Sequence, residues 1–140
     1  MAALLVGEIM TVEVVRLQVD TTLDEAARVM RDKDIGDVVV VDDDRLVGLV
    51  TDRDIVVRAV ADGLVPEHTT LGSVVSRDLL MVRPDATALD TARLMRDRAV
   101  RRILVCDEQG LCGIVSIGDL AMDVDPQSVL AGISGAAPNN

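Results

Sequence analysis

The chain has 140 residues, 49% of them apolar and none of them Phe, Tyr or Trp; that length carries one compact module with an aliphatic core and excludes a disordered chain. Its 24 acidic side chains against 14 basic ones leave a formal charge of −10. So acidic a surface repels phosphate backbones and anionic lipid, and without aromatic rings there is no stacking platform, so nucleic acid and membrane are excluded as partners.

The opening "MAALLVGEIM" lacks the basic start of a secretory leader, and no apolar run approaches the roughly 18 residues needed to span a bilayer. With only Cys106 and Cys112 as cysteines, the expectation is a soluble, cytoplasmic protein with reduced thiols. "EIMTVEVVRL" (Glu8 to Leu17) reads as an extended piece. Leu23, Ala26, Ala27 and Met30 then keep the i, i+3, i+4, i+7 spacing of one helix face. Thr22, with Glu25 three residues on, has the form of a capping box. "VVVV" (Val38 to Val41) is a short β-branched strand and "DDDR" (Asp42 to Arg45) a turn. "LVGLV" (Leu46 to Val50) is a second strand hairpinned to the first, and a helix follows Thr51-Asp52-Arg53-Asp54. Residues 63–70, with Pro66 and His68, read as a linker.

The same order then returns. A shift of 65 residues lays Gly113 on Gly48, Met95 on Met30 and Asp119 on Asp54, with "ARLMRDR" (Ala92 to Arg98) over "ARVMRDK" (Ala27 to Lys33). "SVVSRDLLMV" (Ser73 to Val82) copies the extended opening, and Thr87 with Asp90 copies the cap. An ungapped match of that length marks two structurally equivalent units. The expected fold is mixed α/β (α+β): two β-α-β-β-α repeats over residues 7–62 and 71–124. A unit this small cannot bury both faces of its sheet, so the pair is expected to pack around a pseudo-two-fold axis. Residues 125–140 read as a short helix capped by Asp125, with Pro126 at its first position, and a frayed tail.

The chemistry concentrates in Thr51-Asp52-Arg53-Asp54 and its copy, Ser116-Ile117-Gly118-Asp119. One reading makes each hydroxyl an N-cap and each aspartate a partner of the positive helix end. The other uses the same geometry for a ligand: the hydroxyl and helix amides hold phosphate, and the carboxylate accepts two hydrogen bonds from a ribose diol. Gly48 and Gly113, three residues upstream, favour the ligand reading, because a strand glycine marks close approach of a backbone or ligand and capping needs none.

"IGDVVVVDDDRLVGLVTDRDI" and "VRRILVCDEQGLCGIVSIGDL" resemble the tandem cystathionine β-synthase (CBS) domain pair, or Bateman module, from about Gly7 to about Met122. The most specific element is a strand leading into Gly-h-h-[Ser/Thr]-x-x-[Asp/Asn], where h is apolar, present twice. The short chain is similar to stand-alone bacterial CBS-pair proteins. The resemblance implies adenosine-containing ligands (AMP, ADP, ATP, S-adenosylmethionine) in clefts between the repeats, no required cofactor, and homodimers that regulate an unidentified partner protein. By matched position it gives Asp54 and Asp119 to the ribose and Thr51 and Ser116 to phosphate. Ile35, Gly36, Asp37 and, in the second unit, Val100, Arg101 and Arg102 would wall base and phosphates. Arg53, Arg101 and Arg102 are the phosphate cations, since the guanidinium fork suits that group. Adenine would lie between aliphatic side chains such as Ile35, Val38 and Val100.

The remaining candidates carry less. Cys106 and Cys112 flank the second hairpin turn, but at the 65-residue shift they replace Val41 and Val47 and so read as small core groups. The single histidine, His68, lies in the linker, which leaves no metal set and no Ser-His-Asp or Cys-His arrangement. The acid runs at Asp42 to Asp44 and Asp123 to Asp125 lack the ligand alternation of a calcium loop. "RDRAVRR" (Arg96 to Arg102) is locally basic, yet the overall charge opposes RNA. The competing function is structural: "IVVRAVADGLV" (Ile55 to Val65) is apolar on more than one side, as a homodimer face would be.

Overall fold

A computed structural model describes residues 3–77 and 79–123; the expected C-terminal helix and tail lie outside them. The chain opens on one helical turn, α1 (Val6–Ile9), followed by strand β1 (Arg16–Gln18), helix α2 (Leu23–Lys33) and the hairpin β2 (Asp37–Asp42) and β3 (Arg45–Thr51). Helix α3 (Asp52–Asp54) continues as a wider π-helical stretch over Ile55–Val60, where Ala61 donates to the Val56 carbonyl five residues back. Two 3₁₀ turns, Pro66–His68 and Leu71–Ser73, lead to β4 (Met81–Val82), α4 (Ala88–Arg98), β5 (Arg102–Asp107), β6 (Gly110–Ser116) and α5 (Ile117–Asp123).

Two sheets of three strands result, ordered β1-β2-β3 and β4-β5-β6. In each, the first strand runs parallel to the second and the second pairs with the third as an antiparallel hairpin. The expected mixed fold, β-α-β-β-α twice over, is the one observed.

The chain divides into two compact units: Val14–Leu79, and the residues up to Glu13 joined with those from Leu80 onward. Sequence repeats and compact units are therefore out of phase. The segment that opens each repeat completes the core of the unit built on the other. In the first unit, Leu23, Ala26 and Met30 of α2 pack on Val38, Val40 and Val50, and Leu71, Val74 and Val75 close the cluster. In the second, Val6 of α1 joins Ala88, Ala92, Met95, Ile103, Val105, Val115 and Leu120. Each Val, Leu, Ile or Met side chain so buried is worth about 1.5–3 kcal/mol.

Local details depart from the periodic reading. Ala27 is exposed although its match, Ala92, is buried. The start of the "EIMTVEVVRL" stretch is helical, not extended, because distant carbonyls hold it: Val6 N–H donates to Ala86 O and Gly7 N–H to Pro84 O. Residues 63–70 do not run free as a linker: Leu23 N–H donates to Thr69 O, and Thr22 pairs with Thr70. Thr22 caps α2 without its hydroxyl reaching the third amide. The Thr22 hydroxyl beside Asp24 holds that carboxyl below its ordinary pKa. Thr87 behaves as expected, accepting from Asp90 N–H at 3.1 Å.

Candidate functional site

Each hairpin ends at a strand-to-helix corner, and the two corners are built alike. In the first unit, Asp37 opens β2 and pairs with Thr51 at the end of β3, while Asp52 N–H donates to Gly36 O at 2.9 Å. In the second, Arg102 pairs with Ser116, and Ile117 N–H donates to Arg101 O at 2.9 Å. The stretches 35–37 and 100–102 are thereby fixed beside the tetrads, through the same main-chain bond at positions 65 apart.

Within each tetrad hydroxyl and carboxylate are locked together. Thr51 Oγ1 accepts from Asp54 N–H at 3.1 Å, and Asp54 Oδ2 accepts from Thr51 N–H at 2.9 Å. Ser116 Oγ and Asp119 repeat the exchange at 3.2 and 2.9 Å. The reciprocal box gives the capping reading its full geometry, since it satisfies the first helical amides and the last strand amide. It also fixes one carboxylate oxygen, Oδ2, leaving Oδ1 of each aspartate pointed elsewhere. At the first corner Oδ1 of Asp54 lies 3.8 Å from Arg58 Nε, and Arg58 also donates to Val74 O at 3.3 Å. Arg58 escaped the sequence reading, although its spacing four residues after Asp54 on a helix was a usable signal.

The other named residues fall unevenly. Ile35 and Val100 are partly buried against the cores of their own units, with Gly36, Asp37, Arg101 and Arg102 also at intermediate exposure beside them. Val38 is completely buried in the first core, so its side chain supports the corner and does not line it. Arg53 is exposed, on the surface of the helical turn.

The strand glycines have a different cause from the one that favoured a ligand. A Cβ on Gly48 would collide with the Ser76 carbonyl and come within 2.6 Å of Val75 Cγ2. At Gly113 it would meet Thr11 O at 2.5 Å and Met10 Sδ at 2.9 Å. Short bridges, Leu49 with Ser76 and Thr11 with Ile114, cross the hairpins at those places. Beside each glycine the ladder slips, leaving Val47 and Cys112 as bulged extra residues. Glycine here admits a crossing main chain, and the ligand reading loses that support.

Cys112 packs at the edge of the second core, where burial and then the neighbouring Asp107 push its thiol pKa up. Cys106 pairs in register with Leu111, and its sulfur lies 3.7 Å from Met81 Sδ. Neither is in a disulfide.

Duplicated β-α-β-β-α units with matched hydroxyl–carboxylate corners define a class, that of tandem-repeat regulatory modules. The CBS-domain family model matches residues 6–60 and 71–124, and the chain belongs to that family. It is 35% identical over 118 residues to the CBS domain-containing protein YhcV of Bacillus subtilis, covering 84% of either chain. Among solved structures it is similar to Hypoxic Response Protein I with two coordinated zinc ions (35% identity, 86% of this chain and 98% of that one, TM-score 0.75). It is also similar to the hexameric CBS-CP12 protein from bloom-forming cyanobacteria (28% identity, 89% and 74%, TM-score 0.79). No helix among the described residues is long and apolar enough to cross a membrane.

Proposed function

We propose that the chain is a non-catalytic regulatory module that binds adenosine-containing nucleotides at its two strand-to-helix corners. The observation that carries the reading is the duplicated corner itself: a hydroxyl and a carboxylate in reciprocal hydrogen bonds, beside a loop tied by the same carbonyl–amide bond in both units. In this reading Asp54 and Asp119 take the ribose hydroxyls through Oδ1, and Thr51 and Ser116 offer their hydroxyl protons to phosphate. Arg53, Arg101 and Arg102 add positive charge; Ile35, Gly36, Asp37 and Val100 flank the base. A ligand that prefers one arrangement of the chain shifts its conformation or assembly, and a regulated protein reads the change. The zinc of Hypoxic Response Protein I is not carried over, since no group of three or more His, Cys, Asp or Glu among the described residues is placed to hold a metal.

The test is thermal melting with AMP, ADP, ATP and S-adenosylmethionine. A ligand at a hundred times its dissociation constant adds about 2.7 kcal/mol, a rise of several degrees. No shift with any of them overturns the reading.

A second reading, self-association without a physiological nucleotide, is favoured by one observation. Val56, Val57 and Val60 are each about half exposed on the helical segment after Asp54, and Leu64 and Val65 continue the apolar surface. The hexamer of the CBS-CP12 protein supports assembly in a similar chain. A Val57→Glu variant that sediments as a smaller species than the wild type supports this reading, and an unchanged sedimentation coefficient removes it.

A further inference from the structure

Each compact unit holds a short stretch of the other repeat in the same way, main-chain bond for main-chain bond. In the second unit Ala88 N–H donates to Leu4 O, Val6 N–H to Ala86 O and Gly7 N–H to Pro84 O, while Thr11 and Ile114 exchange a bond in each direction. In the first, Leu23 N–H donates to Thr69 O, Leu71 N–H to Thr21 O and Gly72 N–H to Val19 O, while Ser76 and Leu49 make the same exchange. Every residue in one set lies 65 positions from its counterpart in the other. The side chains keep the same order: Val6, Ile9 and Met10 enter the second core where Leu71, Val74 and Val75 enter the first. Residues 4–11 are thus seated as a bound peptide is, by main-chain bonds at both ends and apolar anchors between. None of these contacts involves the link from Val12 to Val14, so none depends on which copy of the chain supplies the stretch.

We propose that this chain takes a second copy of itself as partner by exchange, residues 4–11 of each copy seating in the second unit of the other. The link is the part that changes. Thr11 is anchored by Ile114, and Val15 O accepts from Val39 N–H at 2.9 Å. Between those anchors Val12, Glu13 and Val14 lie outside any helix or strand, with Val12 66% exposed. A groove without its stretch loses Leu4, Val6, Ile9 and Met10 from its core, so a stretch that leaves is replaced by another copy's. The same bonds and anchors then form across copies, and what separates the closed and exchanged forms is the shape of the link and mass action. The product is a closed two-fold dimer, each copy offering the same groove and the same stretch. It differs from association through Val56, Val57 and Val60, in which each copy keeps its own stretch, and it stands apart from the nucleotide reading.

A designed disulfide tests which copy supplies the stretch. Leu5 and Thr87 form an antiparallel pair whose flanking residues, and not the pair itself, carry the main-chain bonds, the close spacing that a disulfide spans. The variant carries Leu5→Cys and Thr87→Cys, with Cys106→Val and Cys112→Val supplying the valines of the first repeat. It is refolded from urea at rising protein concentration, oxidised with glutathione disulfide and run on a denaturing gel without reductant. Exchange gives a covalent dimer whose share rises with concentration, and Leu5→Cys without its Thr87→Cys partner does not give it. Cross-linked monomer alone at every concentration overturns the proposal, as does an equal dimer from the single Leu5→Cys change. A second arm leaves stretch and groove untouched and decides the matter should the cysteine pair fold poorly. In a Val57→Glu background, inserting Gly-Ser-Gly-Ser between Val12 and Glu13 is expected to shift sedimentation toward monomer, and deleting Val12 and Glu13 to shift it toward dimer, because short hinges invite exchange and longer ones suppress it. A sedimentation coefficient indifferent to both link variants overturns the exchange.

Discussion

Replacing Gly48 with alanine puts one methyl group into a space already occupied. The added carbon would overlap the Ser76 carbonyl and sit 2.6 Å from Val75 Cγ2, so the crossing segment must retreat. Two main-chain bonds hold that segment to β3: Leu49 N–H to Ser76 O at 3.3 Å and Ser76 N–H to Leu49 O at 3.2 Å. Val74 and Val75, which it carries, are 2% and 8% exposed. Overpacking of this kind costs about 1–3 kcal/mol, and weakening two backbone bonds adds roughly 0.5–1.5 kcal/mol each. The expected loss is about 2–6 kcal/mol. Gly63→Ala is the control: φ is +72° there and nothing lies within 4 Å of an added Cβ, so only the left-handed backbone matters, at about 1 kcal/mol. Urea unfolding of both variants measures the difference. A Gly48→Ala protein as stable as Gly63→Ala refutes the close-approach argument. If it also loses nucleotide affinity, the glycine serves a ligand after all.

Four further outcomes follow from the same coordinates. Thr51→Ala and Ser116→Ala each remove the hydroxyl half of a capping box and should cost about 1 kcal/mol in urea unfolding without ligand. Ala99→Gly should stabilise the chain by roughly 1 kcal/mol, since Ala99 ends α4 at φ +55°, a conformation that glycine adopts without strain; a loss of stability contradicts this. The Cys112 thiol, raised by burial and by Asp107, should alkylate slowly near neutral pH, and Asp107→Asn should accelerate it, as mass spectrometry of iodoacetamide-treated protein would show. Asp24, Asp107 and Glu108 are all depressed, chiefly by hydrogen bonds from Thr22 and from the amides of Gln109 and Glu108. A depressed carboxyl contributes its stability above its unfolded pKa and loses it as pH falls through the folded value. Melting temperature should therefore decline on acidification through the carboxylate range, and Asp24→Asn should flatten part of that decline.

The repeat, the hairpins and the helical faces were legible in the sequence because each depends on residues close together in the chain. Val38 to Val41 is β-branched and lies in β2; Leu23, Ala26 and Met30 keep helical spacing and are buried on α2. What could not be read is what distant chain segments decide. Residues 6–9 and 71–75 are similarly apolar, and nothing local says that each completes the core of the unit built on the other repeat. Gly48 and Gly113 announced a close approach, but a ligand and a crossing main chain leave the same trace. Thr22 and Thr87 have the same form of cap in the sequence, yet only the Thr87 hydroxyl accepts from the third amide of its helix. The reciprocal bonds of Thr51 with Asp54 and of Ser116 with Asp119 are legible in the sequence, since a hydroxyl three residues ahead of a carboxylate is a local pattern. Val38, expected beside the base, is buried with the three valines that follow it, because a run of four valines does not tell a covered strand face from an open one.

The central claim is that the paired carboxylates hold a ribose. It is tested most directly by a crystal structure of the chain grown with ATP and adenosine together. Ribose hydroxyls within hydrogen-bonding distance of Asp54 or Asp119, with phosphate oxygens near Ser116, Arg101 and Arg102, are the predicted result. Both nucleosides seated elsewhere on the chain, or both corners empty at saturating ligand, would contradict it.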